Sequence, residues 1–295
     1  MKKVGVIGLG AMGQGVAKNL IKAGFEVFGC DVRAESVAAF VEHGGKGCDT
    51  PAQLGAQCDV VITLVVNAEQ TEHVLFGEAG AAQHLRAGCV VVAAATVPPG
   101  YAAHLGKHLA ERNIDLIDSP VSGGVVGAAN GTLVLLSSGP ESAYAACGDV
   151  LDAISSKVYR LGSEHGIGST VKVINQLLVG VQIAAAAEAM ALGLREGVDP
   201  QKLYDVISNS AGNSWAFTDR VPHILRGDFT PPHTALDIFV KDLGLVLDAA
   251  RSSKFPLPLA SVAHQMFTTA SAAGFGNEDD TAVIKIFPGI TLPGA

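Results

Sequence analysis

Lys172 enters an apolar run three residues ahead of Asn175, within Gly166-Ile167-Gly168-Ser169-Thr170-Val171-Lys172-Val173-Ile174-Asn175. On a helix, side chains three apart share one face. A buried ammonium must be paired or neutral, and a dry setting lowers its pKa. A neutral amine of that kind can take the proton of an alcohol, the task of a general base. The same lysine also fits a bland reading, its methylenes lying on apolar surface and its head reaching solvent. A second segment, Asp118-Ser119-Pro120-Val121-Ser122-Gly123-Gly124-Val125-Val126-Gly127-Ala128, supplies a hydroxyl and glycine amides where a strand ends. Ser122, Gly123 and Gly124 there suit the grip of a carboxylate, although an ordinary strand-to-helix turn reads the same way.

A third segment points to a phosphate-bearing cofactor. The apolar run Val4 to Ile7 passes directly into Gly8-Leu9-Gly10-Ala11-Met12-Gly13. Gly8 permits the tight turn, Gly10 lets backbone approach a pyrophosphate, and Gly13 lets the next helix pack on the strand. That helix, with Val16, Ala17, Leu20 and Ile21 as its apolar stripe, offers unpaired N–H groups and a positive dipole end to phosphates. Phe25 to Cys30 forms the following strand, and Asp31 after it lies 18 residues beyond Gly13, where an acidic side chain meets the adenosine ribose. A carboxylate there favours NAD over NADP. Arg33, two positions on, can either tolerate a 2′-phosphate or serve as a solvated loop residue.

These groups need a scaffold, and the first half of the chain alternates apolar strands with helical segments. That pattern predicts a Rossmann-type, doubly wound, mostly parallel α/β sheet. Val60 to Val66, Val90 to Ala95 and Ile114 to Ile117 read as its buried strands, with Leu133 to Leu136 and Val158 to Leu161 completing the sheet. From Ser169 to about Glu196 an alanine- and leucine-rich stretch predicts one helix of roughly 28 residues and roughly 40 Å. Helices are also expected near 200–210, 235–252 and 259–273, with no strand. A boundary near Gly162 therefore separates residues 1–162, the NAD-binding domain, from 163–295, an all-helical substrate and dimerisation domain. So long an apolar helix calls for a second copy to cover it, as a homodimer or homotetramer.

Composition narrows the class further. The chain has 295 residues, 48% of them hydrophobic and 16% charged, which describes a well-buried enzyme. A formal net charge of −8 without basic runs excludes a nucleic-acid surface. Cys30, Cys48, Cys58, Cys89 and Cys147 contain no CxxC pair and suit a reducing, cytoplasmic setting. His104 and His108 stand four apart without a third ligand, so no metal is expected. The run Val173 to Ala187, interrupted by Asn175, Gln176 and Gln182, is taken as too short and polar for a membrane span.

Together these segments resemble the β-hydroxyacid dehydrogenase family, which includes 3-hydroxyisobutyrate dehydrogenase and tartronate semialdehyde reductase, over essentially the whole chain. The resemblance implies that Lys172 exchanges the hydroxyl proton and that Asn175 holds the substrate hydroxyl beside it. It implies that Ser122, Gly123 and Gly124 bind the carboxylate. Thr96 would lie by the nicotinamide ribose, Leu64 and Val65 would line the cofactor, and Lys241 would stand near the nicotinamide. Ala95, Val65 and Gln176 replace a serine, a proline and a second asparagine found in relatives.

The segments Ala211 to Trp215, Asp237 to Leu245 and Glu278 to Phe287 resemble the bacterial L-threonate dehydrogenase subfamily. That resemblance implies NAD-dependent oxidation of L-threonate at C2 to 2-dehydro-L-erythronate, a small hydroxy acid becoming a 2-oxo acid. The alternatives are 3-hydroxyisobutyrate dehydrogenase, a tartronate or succinic semialdehyde reductase, and a non-catalytic NAD-binding scaffold; retention of both Lys172 and Asn175 argues against the scaffold. Trp215 and Phe217 are candidates either for the pocket wall or for core packing.

Overall fold

The protein is described by a computed structural model covering residues 1–293. Its chain divides into two compact units, Met1–Lys172 and Val173–Ala295. The first begins β1 (Lys3–Ile7), α1 (Ala11–Lys22), β2 (Glu26–Cys30), α2 (Ala34–Glu42), β3 (Lys46–Gly47), α3 (Pro51–Gly55), β4 (Val60–Thr63), α4 (Ala68–Phe76), β5 (Val90–Ala93), α5 (Pro99–Ala110) and β6 (Asp115–Asp118). These strands form one parallel sheet in the order β3-β2-β1-β4-β5-β6. β1 is central, Val4 registering with Val27 on one side and Val60 on the other.

Strands covered on both faces read as unbroken apolar runs, and every residue of β4 and β5 is buried. Alternate side chains serve opposite faces. Val4, Val6, Val60 and Ile62 enter one core with α1, whereas Ile7, Val61, Val91 and Leu116 enter the other with Leu105 and Leu109 of α5.

The next elements, β7 (Val121–Ser122), α6 (Gly124–Asn130), β8 (Leu133–Ser137), α7 (Glu141–Ile154) and β9 (Ser155–Arg160), correct one expectation. β8 and β9 do not complete the large sheet. They form a separate three-stranded sheet, β7-β8-β9, with β7 antiparallel to β8. Beyond β6 the Pro120 carbonyl accepts from Leu136 N at 3.0 Å, and Ser138 N donates to Asp118 O at 2.9 Å. A single antiparallel bridge, Asp118 to Ser138, links the two sheets.

α8 (Ile167–Arg195) is one helix of 29 residues. By length and composition it is able to cross a membrane, so the argument from shortness fails. Its residues Ile183, Ala184, Ala187 and Met190 instead enter the core of the second unit, while Ile174, Leu178 and Leu192 are exposed. That unit continues with α9 (Pro200–Ser208), α10 (Trp215–Arg226), α11 (Leu236–Ser253) and α12 (Pro258–Ala270), followed by a π turn (Ser271–Phe275) and a 3-10 turn (Asp280–Ile286). α10 was not anticipated, because Pro222 lies inside it and a proline ordinarily breaks the helical pattern. Its start is capped, the Phe217 N–H donating to Ser214 Oγ at 3.0 Å. Phe217 is core, stacked on Tyr204, but Trp215 is 65% exposed.

Candidate active site

The glycine turn is built by close approach. Gly8 is left-handed at φ +96°, and a Cβ on it would stand 2.7 Å from Leu64 O. A Cβ on Gly13 would fall 1.9 Å from Gly8 O, so α1 seats on the end of β1 only because both residues lack side chains. Gly10, Ala11, Met12 and Gly13 then form the start of α1, where N–H groups have no intrahelical acceptor.

Asp31 ties β2 to this turn. Its Oδ2 accepts from Leu9 N at 2.7 Å, and its Oδ1 accepts from Arg33 N at 2.9 Å and Arg33 Nε at 3.2 Å. Burial alone would raise the carboxyl, but the hydrogen bonds from Arg33 and Leu9 outweigh it and hold it below the ordinary aspartate value. Gly8, Gly10, Asp31, Arg33, Leu64 and Val65 line a crevice of about 750 Å³ at the carboxyl ends of β1, β2 and β4. A helix start, a left-handed glycine cradle and an anchored carboxylate fit a dinucleotide, with Leu64 and Val65 in the same wall. Thr96, half-buried, follows β5 at the same edge of the sheet.

Ser122 closes β7, and Gly123 and Gly124 are both left-handed, at φ +118° and +58°, as the chain turns into α6. Two consecutive left-handed residues demand glycine. This is a strand-to-helix turn in form, with backbone amides at its apex.

The start of α8 is locked from below by Asp118, at the end of β6. The Asp118 carboxylate accepts from Gly166 N at 3.0 Å, Ser169 N at 2.9 Å and Ser169 Oγ at 2.7 Å. Burial pushes this carboxyl up, opposed by those same hydrogen bonds. A negative group at a helix N-terminus also meets the positive end of the dipole. Gly168 makes the approach possible, since a Cβ there would stand 2.4 Å from Leu136 O and 2.6 Å from Asp118 O. Lys172, one turn beyond Ser169, is buried.

In the second unit, Asn175 Nδ2 donates to Gln176 Oε1 at 3.0 Å. Gln176 Nε2 donates to Asp242 Oδ2 at 2.6 Å, and Lys241 Nζ donates to Asp242 Oδ1 at 2.6 Å. Gly180, one turn beyond Gln176, lets α8 meet α11, for a Cβ there would lie 2.9 Å from Leu243 Cδ2. Asn175 and Lys241 are thus joined through two residues to which sequence reasoning assigned no role. Asp118 and Ser169 were likewise passed over, as nothing local in the sequence pairs them. Of the two histidines on α5, His108 stacks on Phe76 with centroids 3.9 Å apart.

A glycine-cradled dinucleotide crevice, with a buried lysine on a helix locked to strand ends, defines a nicotinamide-dependent dehydrogenase. Residues 3–162 match the family model of the NAD binding domain of 6-phosphogluconate dehydrogenase, and residues 166–287 match that described as NAD-binding of NADP-dependent 3-hydroxyisobutyrate dehydrogenase. The chain belongs to the 3-hydroxyisobutyrate dehydrogenase-like family of NAD-dependent hydroxyacid dehydrogenases. It is 64% identical to the L-threonate dehydrogenase of Cupriavidus necator, covering 99% of this chain and 98% of that one. It is 51% identical to the L-threonate dehydrogenase of Escherichia coli, covering 99% and 97%. A crystal structure from Salmonella typhimurium, described as 3-hydroxyisobutyrate dehydrogenase, superposes with a TM-score of 0.92 at 46% identity, over 97% of this chain and 100% of that one.

Proposed function

We propose that this protein oxidises L-threonate at C2 to 2-dehydro-L-erythronate with NAD. The observation that carries the chemistry is the buried Lys172, seated on α8 one turn past the Asp118–Ser169 lock. The choice of substrate rests on the relatives named L-threonate dehydrogenase. In this reading Ser122, Gly123 and Gly124 bind the substrate carboxylate. Asn175 holds the hydroxyl, and neutral Lys172 takes its proton. The bound nicotinamide supplies the hydride acceptor, as its chemistry is the cofactor's own. Gly8 to Gly13 hold its phosphates and Asp31 its adenosine ribose, while Leu64, Val65, Thr96 and Lys241 line the remainder. The protein contributes orientation and proton management.

The proposal divides labour between residues 1–162, which hold the cofactor, and 163–295, which complete the substrate site and dimerise. Exposed Ile174, Leu178 and Leu192 on α8 support a homodimer or homotetramer, and unpaired cysteines support a cytoplasmic setting. A second reading, oxidation of 3-hydroxyisobutyrate, is favoured by the description of the Salmonella structure.

A panel of hydroxy acids with NAD and NADP, followed at the absorbance of the reduced cofactor, separates these readings. Product mass then decides regiochemistry: oxidation at C2 gives a 2-oxo acid that keeps its carboxylate, whereas oxidation at C3 gives a 3-oxo acid that loses carbon dioxide. Preference for 3-hydroxyisobutyrate, or release of carbon dioxide from L-threonate, overturns the proposal.

A further inference from the structure

We infer that Gln176 and Asp242 are positioning residues: together they set which edge of the Asn175 amide faces the substrate and hold the Lys241 ammonium in place. The inference rests on the roles proposed above for Asn175 and Lys241.

The argument is one of hydrogen-bond polarity. An ammonium can only donate and an ionised carboxylate can only accept. Lys241 therefore fixes Asp242 Oδ1 as an acceptor, and Asp242 Oδ2 can be served only by the NH2 of Gln176. With its nitrogen committed, Gln176 turns its Oε1 towards Asn175, which must answer with Nδ2. The Asn175 carbonyl is thereby turned away from Gln176. Amide orientation, ordinarily ambiguous, is imposed here from Lys241 through three contacts. Gln176 and Asp242 are 7% and 2% exposed, so water does not substitute readily for any partner.

Gln176→Glu probes the polarity. Protonated, its carboxyl repeats the amide pattern, with O–H donated to Asp242 and C=O turned to Asn175. Ionised, it sets two carboxylates against each other and offers no donor. The ratio of variant to wild-type kcat with L-threonate should therefore be near one at about pH 6 and fall by roughly tenfold or more by about pH 9, the scale of one misplaced buried hydrogen bond. Circular dichroism at each pH confirms that the variant is folded. Gln176→Leu should lose turnover at every pH. NADH binding, titrated by its fluorescence, should weaken several-fold in Asp242→Asn, whose neutral amide no longer forms an ion pair with Lys241.

A pH-independent ratio for Gln176→Glu, wild-type turnover in Gln176→Leu, or wild-type NADH affinity in folded Asp242→Asn overturns the inference. If wild type turns over no hydroxy acid, the functional reading fails separately, and the NADH titration still decides the placement of Lys241.

Discussion

Asp118 and Ser169 lie 51 residues apart in the chain, yet one carboxylate accepts both the backbone N–H and the hydroxyl of that serine, at 2.9 and 2.7 Å. β6 ends at Asp118 and Ser169 lies in the first turn of α8, so the pair fixes the start of the helix. Lys172 follows three residues later, and any drift of the helix start displaces its amine. A shift of about 1 Å in a catalytic group can cost on the order of a hundredfold in rate.

Removing the lock should therefore lower stability and turnover together. Ser169→Ala loses a hydrogen bond to a buried carboxylate and should cost ~1.5–3 kcal/mol. Asp118→Asn should cost at least as much, because the amide gives up the negative charge that faces the start of α8 and one of its two acceptor oxygens. Urea melts and NADH-linked turnover check both variants, with NAD affinity expected to change little. Unaltered turnover in a destabilised Ser169→Ala would show that the lock does not govern Lys172.

Lys172→Met keeps the length and apolar stem but removes the amine proposed as proton acceptor. Loss of a general base should reduce kcat by roughly 10²–10⁴. NADH binding, measured by fluorescence, should stay within a few-fold of wild type. Retention of most turnover would remove Lys172 from the mechanism.

Asp31 holds Arg33 through two hydrogen bonds to one carboxylate oxygen. Asp31→Ser frees that guanidinium and deletes the charge that repels a 2′-phosphate. The ratio of kcat/KM for NADP over NAD should rise roughly 10- to 100-fold, the scale of ~1.4–3 kcal/mol in differential binding. NAD itself should bind less well, since Leu9 N loses its acceptor. In the double variant with Arg33→Ala, the gain for NADP should disappear; if it persists, Arg33 is not its cause.

How far the sequence spoke depended on the range of the interaction. The glycine turn, Asp31 at the end of β2 and the span of α8 were legible because each is fixed by neighbours a few residues away. The Asp118 lock and the Gln176–Asp242 bond were not, since the partners are 51 and 66 residues apart and no periodicity joins them. β8 and β9 read correctly as strands, but apolar pattern does not encode which edge they pair with. α10 was hidden by Pro222, a local signal overridden by packing of Val221 and Ile224 in the helical core.

Acid sensitivity should centre on Asp279. Burial would raise its carboxyl, but the His223 and Thr281 side chains donate to it at 3.1 and 2.6 Å and hold it at about 2. The His233 N–H donates to its other oxygen at 3.0 Å. An unfolded aspartate titrates near 3.9, so the folded state binds the proton less readily. Stability from this shift is complete above about pH 4 and is lost as pH falls towards about 2. It amounts to about 3 kcal/mol, at 1.36 kcal/mol for each pKa unit. Wild type should exceed Asp279→Asn in urea stability near neutrality, and the gap should narrow between about pH 4 and 2. Asp280, beside it, is pushed up to about 7 by burial and by the Asp279 charge, against the pull of Arg220, so in wild type it titrates above that window. A gap that stays constant down to pH 2 would mean that His223 and Thr281 do not stabilise the ionised form of this carboxylate.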